Sequence, residues 1–226
     1  MKDIKTKQKE NAAIEALKYV KKEMTVGLGS GSTAEIFVKK LAEKNKKENL
    51  NLTCVATSNK TMRLAIDSGL KVVGIDLVEK IDLAVDGADQ VNKKKELLKG
   101  MGGYAFLREK EVDYKAKQFL VLIDESKLSN ELTEEVLVEV EPAEIIEVIK
   151  TLSEKYDAEV VQVSEKCMPL ETENKSYVIS MQLHSPIKNA KKLEKEINSI
   201  KGVKANGLFT RDCTVIIGKD NGTKTL

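Results

Sequence analysis

The segment Val85-Asp86-Gly87-Ala88-Asp89 sets two carboxylates three residues apart, separated by two of the smallest residues. At that spacing Asp86 and Asp89 can approach each other and a small polar ligand, to hold its hydroxyl groups or move its protons. A polar loop in which aspartate forms the turn also accounts for them. A divalent cation on the pair is a further reading, but the only histidine, His184, lies far along the chain. Lys99-Gly100-Met101-Gly102-Gly103 is a glycine turn leading into Leu107-Arg108-Glu109-Lys110, and Asp124-Glu125-Ser126-Lys127 adds a carboxylate and a lysine. By pattern alone, Arg108, Glu109 and Lys110 are charges on a helix surface and the last segment is a loop.

GLGSGSTA, Gly27 to Ala34, looks like a phosphate-binding turn. A dinucleotide fingerprint needs a third glycine where Ser32 stands, and Gly31 comes one residue early. The acidic residue expected at the end of the next strand is also missing, because Thr57-Ser58-Asn59 lies there. A nucleoside-triphosphate loop fails as well: Ser32 and Thr33 replace the required glycine and lysine. The remaining chemistry suits one compact phosphate monoester. Glycines let backbone N–H groups turn inward, a helix N-terminus adds partial positive charge, and Ser30, Ser32 and Thr33 add hydroxyls. A tight strand-to-helix turn without a ligand fits the motif equally.

These segments need elements to position them. Ala13, Ile14, Leu17, Val20 and Met24 recur at helical spacing and predict a helix over 4–23. Strands follow at 25–28, 52–57, 71–75, 81–85 and 118–123. Helices alternate with them at 33–45 (Ser32 or Thr33 as N-cap), 58–67 and 105–117. Strands that are apolar throughout, in a βαβα rhythm, belong to a parallel sheet covered on both faces. Ligands of such sheets gather at the carboxyl ends of the strands. All four segments follow predicted strands, so they would share one crevice. Near Glu131 the rhythm changes. Strand 136–140, helix 143–156 opened by Pro142, strands 159–163 and 177–183, helix 187–200 opened by Pro186, and strand 202–205 form a β-α-β-β-α-β order. Strand 214–217 would rejoin the first sheet. The reading is α/β: a Rossmann-like parallel-sheet domain over 1–131 and 207–226, with an inserted ferredoxin-like α+β domain over 132–206.

With 226 residues, 41% hydrophobic and 33% charged, the chain can bury a sizeable core. A net charge of +2 points to neither nucleic acid nor a membrane surface, and the lysine-rich stretches 44–47 and 93–95 read as solvated. Cys54, Cys167 and Cys213 are odd in number and lack ligand spacing, which suits reduced thiols in the cytosol. The first residues lack the apolar stretch of a signal peptide, and no apolar run is long enough to span a bilayer.

GLGSGSTA, VDGADQVN, KGMGG with LREK, and DESK, in this order and nearly this spacing, resemble ribose-5-phosphate isomerase type A over essentially the whole chain. The DGAD and LREK elements carry most of the specificity. The resemblance implies aldose–ketose isomerisation of ribose 5-phosphate and ribulose 5-phosphate through an enediolate, in the non-oxidative pentose phosphate pathway. It implies no metal or organic cofactor, a sugar-phosphate partner, and a cytoplasmic homodimer or dimer of dimers. It places Ser30, Gly31, Ser32 and Thr33 in the first substrate segment, and Asp86, Gly87, Ala88 and Asp89 in the second. Lys99, Gly100, Met101 and Gly102 fall in the third. Glu109 falls on the proton acceptor, Lys127 on a further substrate contact, and Lys9 on a phosphate-contacting lysine of the first helix. Asp86, Asp89 and Lys99 would assist the chemistry. Two departures stand out. Met101 replaces a usual glycine or tolerant position, and the step from Lys99 to Glu109 is ten residues instead of nine. The extra residue, placed near 104–106, either bulges before the helix or displaces one of the two side chains. A non-catalytic sugar-phosphate sensor on a related fold is the alternative; the roughly 24 residues before the first strand are too few for the DNA-binding helix-turn-helix such regulators carry. A CoA transferase with a glutamate nucleophile is a third reading.

Overall fold

The computed structural model describes residues 2–133, 135–165 and 168–226, so Cys167 lies outside the described residues. The elements in chain order are α1 (Lys2–Ala16), β1 (Thr25–Leu28), α2 (Ser32–Glu48), β2 (Thr53–Ala56), α3 (Asn59–Asp67), β3 (Lys71–Val72) and β4 (Ile81–Gly87). Two short strands follow, β5 (Gln90–Val91) and β6 (Leu97–Leu98), then α4 (Phe106–Lys115) and β7 (Ala116–Asp124). Next come β8 (Val136–Val140), α5 (Ile145–Lys155), β9 (Ala158–Gln162), β10 (Ser164–Glu165), β11 (Met168–Pro169) and β12 (Tyr177–Leu183). The last elements are α6 (Ala190–Asn198), β13 (Val203–Asn206), β14 (Leu208–Phe209), β15 (Thr214–Lys219) and β16 (Gly222–Thr225).

Residues 1–88, 108–128 and 211–226 form one compact unit. Its sheet has the order β16-β15-β7-β4-β1-β2-β3, parallel except for β16. Val26, Leu28, Leu83, Val85, Leu120 and Leu122 bury one face of it beneath α1 and α2, where Ala12, Ala13, Ala16, Phe37, Val38 and Leu41 meet them. On the other face α4 rests against β1: a Cβ at Gly27 would sit 2.6 Å from Val112 Cγ1. Strand order runs from β1 through β2 to β3 in one direction and from β4 through β7 to β15 in the other. The switch point, where open α/β sheets bind ligands, therefore lies between β1 and β4. The first helix differs from the reading of 4–23. It ends at Ala16, passes through a 3-10 turn over Leu17–Tyr19, and Glu23 takes a positive φ of 63°. Its buried stripe is made of small alanines, and Ile14 points to solvent. Small residues let α1 approach β15 so closely that a Cβ at Gly218 would lie 1.7 Å from the Gln8 carbonyl.

Residues 89–107 and 129–210 form the second unit. Its antiparallel sheet, β13-β8-β12-β9, carries α5 and α6 on one face, packed through Val136, Val138, Val140, Leu152, Met181 and Ile197. This is the β-α-β-β-α-β module. A three-stranded sheet, β14-β6-β5, gathers 89–107 into the same unit, a stretch that the sequence reading assigned with 1–131. Glu139 lies buried within β8. Its carboxylate accepts from Thr172 Oγ1 at 2.8 Å and Asn174 Nδ2 at 3.1 Å, and burial pushes its pKa above the ordinary glutamate value.

Candidate active site

At the switch point Leu28 of β1 pairs with Val85 of β4. The turn after β1 and the side chain of Asp86 thereby meet at the carboxyl edge. Asp86 is fully buried, and its Oδ1 accepts from the Ser30 N–H at 3.0 Å and the Gly87 N–H at 2.6 Å. A Cβ at Gly29 would fall 2.1 Å from the Asp86 carboxyl carbon, so only glycine lets that carboxylate clamp the turn. The N-cap of α2 is Gly31, at φ 91°, and not Ser32 or Thr33. The Glu35 N–H is the first to close onto the Gly31 carbonyl. The amides of the first turn, Ser32 and Thr33 among them, have no acceptor within the helix, and the cap has no side chain to occupy them. With the helix dipole they form an anion cradle. Lys9 Nζ joins it from α1, donating to Ser32 Oγ at 2.9 Å.

Ser30 serves the turn from the other side. Its hydroxyl lies 2.7 Å from Thr57 Oγ1 and donates to Ser58 Oγ at 2.9 Å. Ser58 Oγ donates to Thr61 Oγ1 at 3.0 Å, and Thr61 Oγ1 donates to the Gly29 carbonyl at 3.0 Å. The reading from sequence made Ser30 a hydroxyl donor for the ligand. The structure directs that hydroxyl into this chain, while Ser32 Oγ accepts from Lys9. Thr57, Ser58 and Thr61 hold this turn from beneath, a support that sequence reasoning missed. Their signal was present: Thr57-Ser58 directly follows β2, where a dinucleotide fold would place its acid.

Glu109 is buried, at 5% exposure, in the first turn of α4. It precedes Val112 by three residues and so shares the helix face laid on β1. Ala116, just past the helix, pairs with Ile81 at the amino end of β4. The helix therefore runs toward the amino edge, and the turn carrying Glu109 lies toward the carboxyl edge. Arg211 fixes the other end of α4 by donating to the carbonyls of Asp113 and Ala116. Lys127 closes the 3-10 turn Glu125–Lys127 after β7, whose geometry is set by Asp124 Oδ1 accepting the Ser126 N–H at 3.0 Å.

Ala88 ends a segment of the first unit, and Asp89, Lys99, Gly100, Met101 and Gly102 belong to the second. Asp89 Oδ2 accepts the Met101 N–H at 2.9 Å, and the Asp89 N–H donates to the Leu98 carbonyl at 2.8 Å. Asp89 and the Lys99–Gly102 turn are thus one assembly. Lys99 is buried, with its ammonium 5.2 Å from the centre of the Phe209 ring. Gly100 takes φ 119°, and a Cβ there would meet Phe106 at 2.8 Å. Tyr104 turns into the left-handed region at φ 57°, and its N–H closes onto the Gly100 carbonyl at 2.8 Å. This turn stands ahead of α4, and Met101 is exposed at its tip. His184 faces Asp157 at 2.8 Å on the surface.

A doubly wound α/β sheet with an anion cradle and a buried carboxylate at its switch-point edge defines the class. The family model for Ribose 5-phosphate isomerase A (phosphoriboisomerase A) matches residues 53–222. The ribose-5-phosphate isomerase A of Methanococcus aeolicus is 39% identical over 220 residues, 96% of this chain and 93% of that one. A solved structure of ribose 5-phosphate isomerase A from Methanocaldococcus jannaschii superposes with a TM-score of 0.92 at 40% identity, covering 97% of each chain. A D-ribose-5-phosphate isomerase in complex with phospho-erythronic acid gives 0.92 at 37% identity, again over 97% of each chain. The chain belongs to the ribose 5-phosphate isomerase A family.

Proposed function

We propose that the chain interconverts D-ribose 5-phosphate and D-ribulose 5-phosphate through an enediolate, with Glu109 as the base. The observation that carries this reading is a buried carboxylate held toward the sheet edge at which the Gly31–Thr33 turn and Lys9 form an anion cradle. Family membership favours the enzyme over a sugar-phosphate sensor. In the forward direction the cradle holds the phosphate, and Glu109 takes the C2 proton of the open-chain aldose. The electrons move into an enediolate, the proton on O2 passes to O1, and the same carboxyl returns the carbon-bound proton to C1. Lys99 and turn amides supply donors for the developing oxygen charge. Asp86 and Asp89 bind sugar hydroxyls and assist proton movement in ring opening. Gly87, Ala88, Gly100, Met101 and Gly102 offer backbone contacts, and Lys127 adds its charge. We further propose a cytoplasmic homodimer or dimer of dimers, which size-exclusion with light scattering would test.

Replacing Glu109 with glutamine removes the base and keeps the shape. Turnover of ribose 5-phosphate should fall by about 10² to 10⁴, while calorimetric binding of the substrate persists. Near-normal turnover in Glu109→Gln would overturn the assignment.

A further inference from the structure

Gln8 immediately precedes Lys9 on α1 and is buried at 7% exposure. Its Nε2 donates to Asp220 Oδ1 at 2.8 Å and to Glu125 Oε2 at 3.3 Å. Its Oε1 accepts the Glu125 N–H at 3.3 Å. One helix side chain thus ties together the end of β7 and the turn that follows β15. Glu125 opens the turn that ends at Lys127, and Lys219 Nζ holds the same carboxylate at 3.2 Å. One turn further along α1, Asn11 Nδ2 donates to the Lys219 carbonyl at 2.7 Å, so the helix is bolted at two points. The close approach at Gly218 leaves α1 little room to slide between them.

We infer that Gln8 is a positioning residue for the anion site: it fixes both the turn that carries Lys127 and the stretch of α1 that carries Lys9. The inference rests on the substrate contacts proposed for these two lysines. The residue type fits the task. A carboxamide offers two donor hydrogens for two carboxylates and an acceptor for the Glu125 amide. Glutamate would add a third negative charge beside Glu125 and Asp220, and leucine would leave the partly buried partners unmatched.

The test is steady-state kinetics with ribose 5-phosphate on the full chain carrying Gln8→Leu or Gln8→Glu, alongside thermal melts. Each variant should raise KM about tenfold, with kcat changed less than about twofold. In Lys9→Met and Lys127→Met backgrounds, Gln8→Leu should raise KM by a smaller factor than in wild type, because a positioning role needs lysines to position. The inference fails if KM stays within twofold of wild type, if kcat carries the loss, or if the effect multiplies undiminished with both lysine substitutions. It also fails if both variants unfold at 25 °C, since Gln8 would then be a folding residue only. A wild-type chain without isomerase activity would instead count against the proposed function. Calorimetric affinity for inorganic phosphate, wild type against Gln8→Leu, would still decide the role of Gln8: equal affinities overturn it.

Discussion

Ser30 and its neighbours divide their polar groups between two tasks. The Ser30 N–H goes to Asp86 and its hydroxyl to the Thr57–Ser58–Thr61 chain, so the turn is held from both sides while Gly31 to Thr33 face outward. Ser30→Ala should cost about 1–3 kcal/mol of stability by chemical denaturation, because it removes the node of a largely buried chain. Gly29→Ala should do different damage. Its Cβ would collide with the Asp86 carboxyl group, forcing the turn and the carboxylate apart. A displacement of that kind should lower kcat/KM for ribose 5-phosphate by about 10²-fold; an unimpaired variant would show that the clamp does not matter. The sequence made the glycines legible as a tight strand-to-helix turn, and Ser32 and Thr33 excluded the nucleotide motifs by type and spacing. It could not show that Ser30 turns inward or that Gly29 makes room for a carboxylate 57 positions later, since both depend on strands meeting across the sheet.

At the scale of elements, α4 is the device that carries Glu109. Gly27 lets it settle on β1, and Arg211 grips its last turn. Gly27→Ala should push Val112 away and lower kcat more than it raises KM. The double variant Gly27→Ala, Val112→Ala should recover most of the loss, because the second change clears the 2.6 Å contact. If it recovers nothing, α4 is held by other contacts. The parallel strands were readable because burial on both faces leaves them apolar throughout, and β15 was read as rejoining the sheet for the same reason. The two-residue strands β5 and β6 were not, because two residues carry no periodicity. Ile14 was assigned to the wrong face of α1 because alanines, weak in any hydrophobic pattern, make the close contact there.

For the whole molecule, stability should depend on pH through Glu139. Its folded pKa lies above the ordinary value of 4.5, so the folded state holds that proton more tightly than the unfolded chain. The contribution is fully present below about pH 4.5 and is lost as pH rises through the folded value. Glu139→Gln keeps the acceptor for Thr172 and Asn174 without the charge. It should raise the melting temperature at pH 7–8 and leave it unchanged near pH 4. The Cys54 thiol, pushed up to about 12 by burial, should resist alkylation in the native protein at pH 8 and react on unfolding. The bolting of α1 to β15 also has a consequence for synthesis. Asn11 and Lys219 are 208 positions apart, so a helix made early waits for a strand made late. Until β15 emerges, the alanine stripe of α1 lacks the strand it lies closest to, and β7 stands as an open sheet edge. Closure of this unit is therefore a slow, long-range event, and the nascent chain is most exposed to wrong pairing just before its last strands leave the ribosome.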